Sequence, residues 1–246
     1  MYKRQIGIPG TLSPDSGLVK NANSVWLIGR PLLDDLQRRL DRPVRIANDA
    51  NCFAVSEAAD GAGAGADVVF GVIVGTGTGA GIVVRGSLLV GPNAIAGEWG
   101  HNPLPWPEPD EHPGRQCYCG KRGCIETFLS GPGMVADHHS RTGRLQAPPE
   151  ILAAASAGEA AAAETIARYE RRMARALAAV VNLLDPDVVV VGGGMSNLER
   201  LYARVPQVWR EWVFAAGGGA VRTRLVKAQH GDSSGVRGAA WLWPDA

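Results

Sequence analysis

An α/β fold is the class this sequence predicts, on three observations. Two apolar runs rich in β-branched residues, VVFGVIV (68–74) and VVVVGGG (188–194), each empty into glycines. An alanine-rich helical stretch (150–184) lies between them, its best face carrying Ile166, Tyr169, Met173, Leu177 and Leu184. A helix with a Leu/Val/Trp face (198–213) follows the second strand. Helix, turn, buried strand, glycine loop and helix in that order mark an α/β layer structure. At 246 residues the chain is long enough for one large or two medium domains.

Taken from the start, Met1–Gln5 do not read as the beginning of a domain. VYKRQ, or MYKRQ from a GTG start, is the translation of a widely used sequencing-adapter tail, so residues 1–5 are expected to be non-native. Ile6–Gly10 reads as the end of a buried strand broken by Pro9-Gly10. Residues 11–30 are turn-rich. Pro31 opens a helix with Leu32, Leu33, Leu36 and Leu40 on one side and Asp34, Asp35 in its first turn. VRIANDANC (44–52) predicts a short strand, a polar tetrad and a helix through Glu57. Gly61–Gly65 reads either as a hinge or as a helix cap and surface loop. After 68–74 come GTGTGAG (75–81), IVV and SLLVG, with Arg85-Gly86 as a hairpin turn. HGDSSGVRGAAWLW closes the chain as a short helix capped by Asp232 or Ser233.

A formal charge of +1 argues against a nucleic-acid or membrane-surface partner. No apolar run reaches the ~20 residues needed to span a bilayer and no signal pattern opens the chain, so a cytoplasmic location is expected. Three of the four cysteines, Cys117, Cys119 and Cys124, fall within one eight-residue span, and His101 lies upstream of it in the same segment. This Cys3His set closes a tetrahedral site without leaving a position for water, so Zn2+ is expected in a structural role. Cys52 reads as a small buried side chain.

Asn48-Asp49-Ala50-Asn51 follows a short strand. An Asp held there can take the proton of an attacking hydroxyl, or the tetrad can simply cap a helix. GTGTGAG can turn backbone N–H groups toward an anion, or be a glycine-rich hairpin. It lacks the Gly-Lys-Ser/Thr ending of a Walker loop, and a strand rather than a helix follows it. Gly192-Gly193-Gly194 is a second glycine loop at a strand end, and two such loops in one cleft would suit a nucleotide.

NDAN, GTGTGAG, GEWGH, CYCGKRGCIE and VVVVGGG, in this order and at these separations, resemble the ROK family of bacterial sugar kinases and sugar-responsive repressors. The resemblance spans Ile6 to Trp243. In GEWGHNPLPW, CYCGKRGCIETF and the C-terminal segment it is similar to the proteobacterial fructokinase (mannokinase) branch. It implies an actin-like (ribonuclease H-like) two-lobed ATPase fold. Asp49 is then the general base, with Asn23, Asn48, Glu98, His101 and Glu126 contacting the sugar. Thr76, Gly77, Thr78, Gly79, Ala80 and Gly81 would cradle ATP phosphates, with Gly193 and Gly194 near the adenosine. His101, Cys117, Cys119 and Cys124 would hold the Zn2+, and Mg2+ would accompany ATP. The partners implied are a hexose and ATP, and a second copy in a homodimer.

The family's first strand carries an Asp-x-Gly-Gly-Thr-Lys motif that these 246 residues do not contain. The expectation is therefore an incomplete N-terminal lobe: residues 1–66, completed by a C-terminal helix 232–246, beside a C-terminal lobe 67–231 holding the zinc loop 97–130. The implied activity is phosphorylation of D-fructose at its 6-hydroxyl, weak or absent in this chain. Other readings are a kinase acting on mannose, glucose or an N-acetylated hexose, a repressor without its DNA-binding part, and a sugar-binding protein without catalysis.

Overall fold

The structure, a computed structural model, describes residues 4–215 and 219–242. The N-terminal portion runs β1 (Arg4–Ile8), β2 (Thr11–Leu12), β3 (Val19–Lys20), α1 (Leu32–Leu40), β4 (Val44–Asn48) and α2 (Asp49–Asp60). Then come β5 (Val68–Val74), β6 (Thr78–Val84) and β7 (Ser87–Leu88), followed by a long loop with two short 3-10 turns. The rest is α3 (Glu126–Leu129), α4 (Gly131–Thr142), α5 (Pro148–Ser156), α6 (Ala160–Leu184), β8 (Val188–Gly192), α7 (Arg200–Val208), β9 (Arg224–Lys227) and α8 (Ser234–Ala240). β1 and β4 pair in parallel from Arg4↔Val44 to Ile8↔Asn48, so Arg4 and Gln5 sit in a strand; Met1–Lys3 lie outside the described residues.

Five strands in the order β7-β6-β5-β8-β9 make the main sheet, with β5, β8 and β9 parallel and β6 and β7 antiparallel. Side chains alternate across a strand, and here both faces are covered. Phe70, Val72, Val74, Val189 and Val191 face the core built by Ile166, Tyr169, Met173 and Leu177 of α6 and Leu201 and Val205 of α7. Val69, Val83, Val188 and Val190 face Phe53 and Ala54 of α2. That double coverage is why β5 and β8 read as unbroken apolar runs.

Glycines let α2 lie close to this sheet. A Cβ at Gly71 would stand 2.8 Å from Ala54 Cβ, and one at Gly81 would stand 2.7 Å from the Ala50 carbonyl oxygen. On the outer side of α2, α8 crosses at Gly238, where a Cβ would overlap the Cys52 backbone.

Glu57 is the polar pin of this region. Its carboxylate is fully buried and accepts from Ala62 N–H (2.9 Å), Gln229 N–H (3.0 Å), His230 N–H (3.1 Å) and Ser234 Oγ (2.7 Å). Replacing it by Ala strands four donors. Glu57→Ala is expected to destabilise by roughly 3 kcal/mol or more, measured by denaturant unfolding.

A second buried network ties the loop before α3 to α6. Arg175 grips both oxygens of Glu111 at 2.8 Å, Arg172 reaches Glu111 at 2.6 Å and Asp137 at 3.0 Å, and Arg168 bonds Asp137 at 2.8 Å. Burial would push Glu57, Glu111 and Asp137 up, but these bonds and charges outweigh it and hold all three below their ordinary values of 4.5, 4.5 and 3.8. Groups with depressed folded values stabilise the fold above the unfolded value, and the contribution is lost as pH falls through the folded one. Unfolding free energy is therefore expected to be flat above about pH 5 and to fall steeply below it, which a pH series of urea titrations reads.

Several elements differ from the sequence expectation. The stretch 150–184 is two helices, interrupted where Gly158 takes φ +91. The helix expected over 198–213 is α7, which contains Pro206, and then a 3-10 turn from Trp209 to Glu211. GTGTGAG is not one loop: Gly75–Gly77 turn, whereas Thr78–Gly81 are the first half of β6. Gly61–Gly65 forms a cap and turn held by Glu57, and SLLVG is reduced to the two residues of β7. Arg85-Gly86 forms the expected hairpin turn, both at positive φ. The terminal helix ends at Ala240; Ser233 stands at its N-cap without a side-chain bond, and the side chain of Asp232 and residues 243–246 lie outside the described residues.

Candidate active site

β4 delivers the polar tetrad to the lip of a cleft. Asn48 caps α2, its Oδ1 accepting from Ala50 N–H (2.9 Å) and Asn51 N–H (3.2 Å), while its Nδ2 donates to the Gly10 carbonyl (3.2 Å). With the cap supplied by its neighbour, Asp49 takes the first helical position and lines the cavity. The cap reading of the tetrad thus falls on Asn48, and the Asp49 carboxylate is left at the cavity. The walls around Asp49 remove part of its water and raise its pKa above 3.8, with the Ala50 N–H pulling weakly the other way. A carboxylate shifted in that direction is a better proton acceptor near neutral pH.

GEWGH supplies further lining. Gly97 (φ +90) and Gly100 press onto β6, where a Cβ would stand 2.2 Å from the Ala80 carbonyl oxygen and 2.0 Å from that of Thr78. Trp99 anchors the segment by donating to the Ala176 carbonyl (3.3 Å) and meeting Phe70 edge-to-face at 5.8 Å. Glu98 and His101 then line the cavity. Glu126 opens α3, lines the same cavity and accepts from Thr78 N–H at 2.9 Å.

The cavity, open to solvent, measures about 280 Å3. Asn23, Asn48, Asp49, Glu98, His101 and Glu126 all line it, as do Thr76, Gly77, Thr78 and Gly79. Ala80 and Gly81 do not, and Gly81 serves the packing of α2 instead. Gly193 and Gly194 lie outside the lining but close by, at the end of β8 beside Gly75 at the end of β5. Both glycine turns thus leave the carboxyl ends of adjacent parallel strands, where open α/β sheets bind ligands. Gly193 (φ +79) has the Val74 carbonyl 2.5 Å from where a Cβ would be, so only glycine fits there. A larger cavity of about 800 Å3, bounded by Asp67, Asp187 and Arg224 among others, contains none of the expected residues.

His101, Cys117, Cys119 and Cys124 bring one donor atom each within 4.8 Å of one another. Cys119 and Cys124 sulfurs are 3.6 Å apart, and Cys117 Sγ is 3.5 Å from His101 Nδ1. Zn–S and Zn–N bonds of about 2.3 and 2.0 Å in a tetrahedron give edges of roughly 3.5–3.8 Å, so this donor set fits Zn2+. His101 Nε2 faces Tyr118 Oη at 2.9 Å, a partner of the kind that fixes the tautomer of a ligating histidine.

Sequence reasoning missed Tyr118, which lines the cavity, and the turn residues Pro9, Gly10 and Asn21. The one signal for Tyr118 was its place between two cysteines. Burial and the neighbouring Glu126 and Glu98 push its phenol well above the ordinary range, so it stays protonated.

The profile of the ROK family matches residues 3–246. The chain belongs to the ROK family. It is 42% identical over 241 residues to an N-acetyl-D-glucosamine kinase of Yersinia pseudotuberculosis serotype O:1b (strain IP 31758), covering 96% of this chain and 78% of that one. Among solved structures it superposes on the ROK hexokinase from Thermus thermophilus with a TM-score of 0.81 at 30% identity, over 96% of this chain and 76% of that one. It superposes equally, TM-score 0.81 and 30% identity, on a ROK family glucokinase from Streptomyces griseus in complex with glucose and AMPPNP, over 97% and 80%. The ROK fold is the actin-like ATPase fold, here a mixed α/β structure. No helix among the described residues is long and apolar enough to cross a membrane.

Proposed function

We propose that this ROK-family chain transfers the γ-phosphoryl group of ATP to the primary hydroxyl of a hexose, with D-fructose accepting at its 6-hydroxyl. One observation carries the reading. Asp49 and the carboxylates of Glu98 and Glu126 line one cavity of about 280 Å3, beside two glycine turns.

In the step, the sugar oxygen forms a bond to Pγ as the Pγ–O bond to ADP breaks, and the hydroxyl proton passes to the Asp49 carboxylate. Glu98, Glu126 and Asn23 hold the other hydroxyls so that one oxygen is aimed at the phosphorus. Of the glycine-rich run, Thr76 and Gly77 in the turn would cradle the ATP phosphates with backbone N–H groups, and Gly193–Gly194 would lie near the adenosine. ATP would supply the phosphoryl group, and Mg2+ bound with it would offset part of the phosphate charge. His101, Cys117, Cys119 and Cys124 hold a structural Zn2+, which ties GEWGH to the segment before α3.

The acceptor rests on the similarity of GEWGHNPLPW and CYCGKRGCIETF to the fructokinase branch. The second reading, N-acetyl-D-glucosamine, has the 42% identical relative of that name in its favour. We further propose residues 1–66 with α8 as the smaller lobe and 67–231 as the larger, in a cytoplasmic homodimer. Binding is read beside rate. Steady-state ADP formation and calorimetric Kd are measured with D-fructose, D-mannose, D-glucose and N-acetyl-D-glucosamine. The highest kcat/KM and affinity are expected for fructose; a lead for N-acetyl-D-glucosamine would establish the second reading, and binding of no sugar would end both.

A further inference from the structure

Tyr118 is an unusual side chain for its position. Its backbone lies between Cys117 and Cys119, two members of the metal-ligating set, yet its side chain is not in the core: the residue is 59% exposed and lines the sugar cavity. The ring stands edge-to-face on His101 at 5.0 Å and 89°. Cys117 Sγ lies 3.5 Å from His101 Nδ1, so the thiolate side of the imidazole is Nδ1 and the hydrogen belongs on Nε2. Tyr118 Oη, 2.9 Å from Nε2, accepts that hydrogen and keeps its own O–H to donate into the cavity.

The position of Asp49 orients the sugar. A hexose that places its 6-hydroxyl on Asp49 must set carbons 1 and 2 against other residues of the same lining, among which His101 and Tyr118 form one hydrogen-bonded pair. We place carbon 2 and its substituent against that pair. In a cavity of about 280 Å3, a rigid phenol ring there competes for volume with an acetyl group, while its O–H can still reach a bare hydroxyl.

We propose that Tyr118 is a specificity-determining residue, its ring excluding a 2-acetamido substituent and its hydroxyl donating to the oxygen at the same end of an unsubstituted hexose. The proposal rests on the kinase reading above. It would let this chain prefer an unsubstituted sugar despite 42% identity to a protein named for an N-acetylated one.

The test uses the full chain, Tyr118→Gly and Tyr118→Phe, with D-fructose and N-acetyl-D-glucosamine as probes. Calorimetric Kd, kcat, KM and bound zinc are the readouts. Tyr118→Gly is expected to lower the fructose preference about tenfold or more by tightening N-acetyl-D-glucosamine. Tyr118→Phe is expected to raise the fructose KM about fivefold to tenfold with kcat little changed, and to keep the acetamido sugar out. Zinc content stays that of the parent in both variants. An unchanged preference in Tyr118→Gly at full zinc content would overturn the proposal, as would loss of zinc from either variant, which would make Tyr118 structural. Wild-type chain that binds N-acetyl-D-glucosamine as tightly as fructose would overturn it too while leaving the kinase reading intact. Binding of neither sugar would remove both.

Discussion

Asp49→Asn is expected to lower kcat for sugar phosphorylation by about 100- to 10,000-fold while leaving the sugar Kd within about threefold. The substitution keeps shape and can still accept the Ala50 N–H bond, but it has no carboxylate to take the hydroxyl proton. Because Asn48 rather than Asp49 caps α2, the helix should survive, and denaturant unfolding should show a change within about 0.5 kcal/mol. Asn48→Ala is the contrasting variant, costing roughly 1 kcal/mol through the lost cap. The same assignment fixes the sign of the pH profile. Asp49 must be ionised to act, and burial raises its pKa, so the acid limb of kcat should lie above 3.8 rather than at it. A sugar-binding protein without catalysis would show no such limb and would lose nothing in Asp49→Asn.

Removing zinc, by a chelator or by Cys124→Ser, is expected to weaken sugar binding by about 10- to 100-fold and to lower Tm. The physical reason lies in what the four ligands join. His101 ends the turn that presents Glu98, and Cys124 lies two residues before Glu126, so releasing the ligands loosens the link between the two carboxylates. It leaves the backbone bonds Leu104 N–H to Gly123 and Ile125 N–H to Asn102 to hold them. The loss should stop short of unfolding. Trp99 on Phe70, and Glu111 gripped by Arg172 and Arg175, hold the same loop independently of the metal. Metal analysis should find about one zinc per chain. Free thiols merely packed in a loop would leave sugar affinity and Tm unchanged under chelation.

How much of this was legible in the sequence depended on whether a residue's partners were near it in the chain. Cys117, Cys119 and Cys124 lie within eight residues, and the His101 that completes them is in the same segment, so spacing alone suggested the set. β5 and β8 were legible because a strand covered on both faces leaves a continuous apolar run. Asp49 was ambiguous, since caps and bases use the same residue types. Only the side-chain bonds of Asn48 separate the roles.

Gly81 looked like part of a phosphate loop because glycine serves close ligand approach and close helix approach equally well. The Ala50 carbonyl above it decides for the helix. Glu57 and Arg175 were illegible for a simpler reason. A charged residue on a helix is ordinarily solvated, and the groups that bury these two come from elsewhere: Gln229 and Ser234 for Glu57, and Glu111 for Arg175. Tyr118 fell between these cases, close to the ligand set yet not part of it.

The most direct measurement is a phosphorus NMR time course of the full chain with ATP, Mg2+ and D-fructose, set beside Asp49→Asn and a sample without sugar. The expected result is a steadily growing sugar 6-phosphate resonance, matched by ADP, that the wild-type chain alone produces and that needs the sugar. Inorganic phosphate appearing at the same rate without sugar, or a 6-phosphate signal of equal size from Asp49→Asn, would contradict the assignment of Asp49 as the base of a hexose kinase.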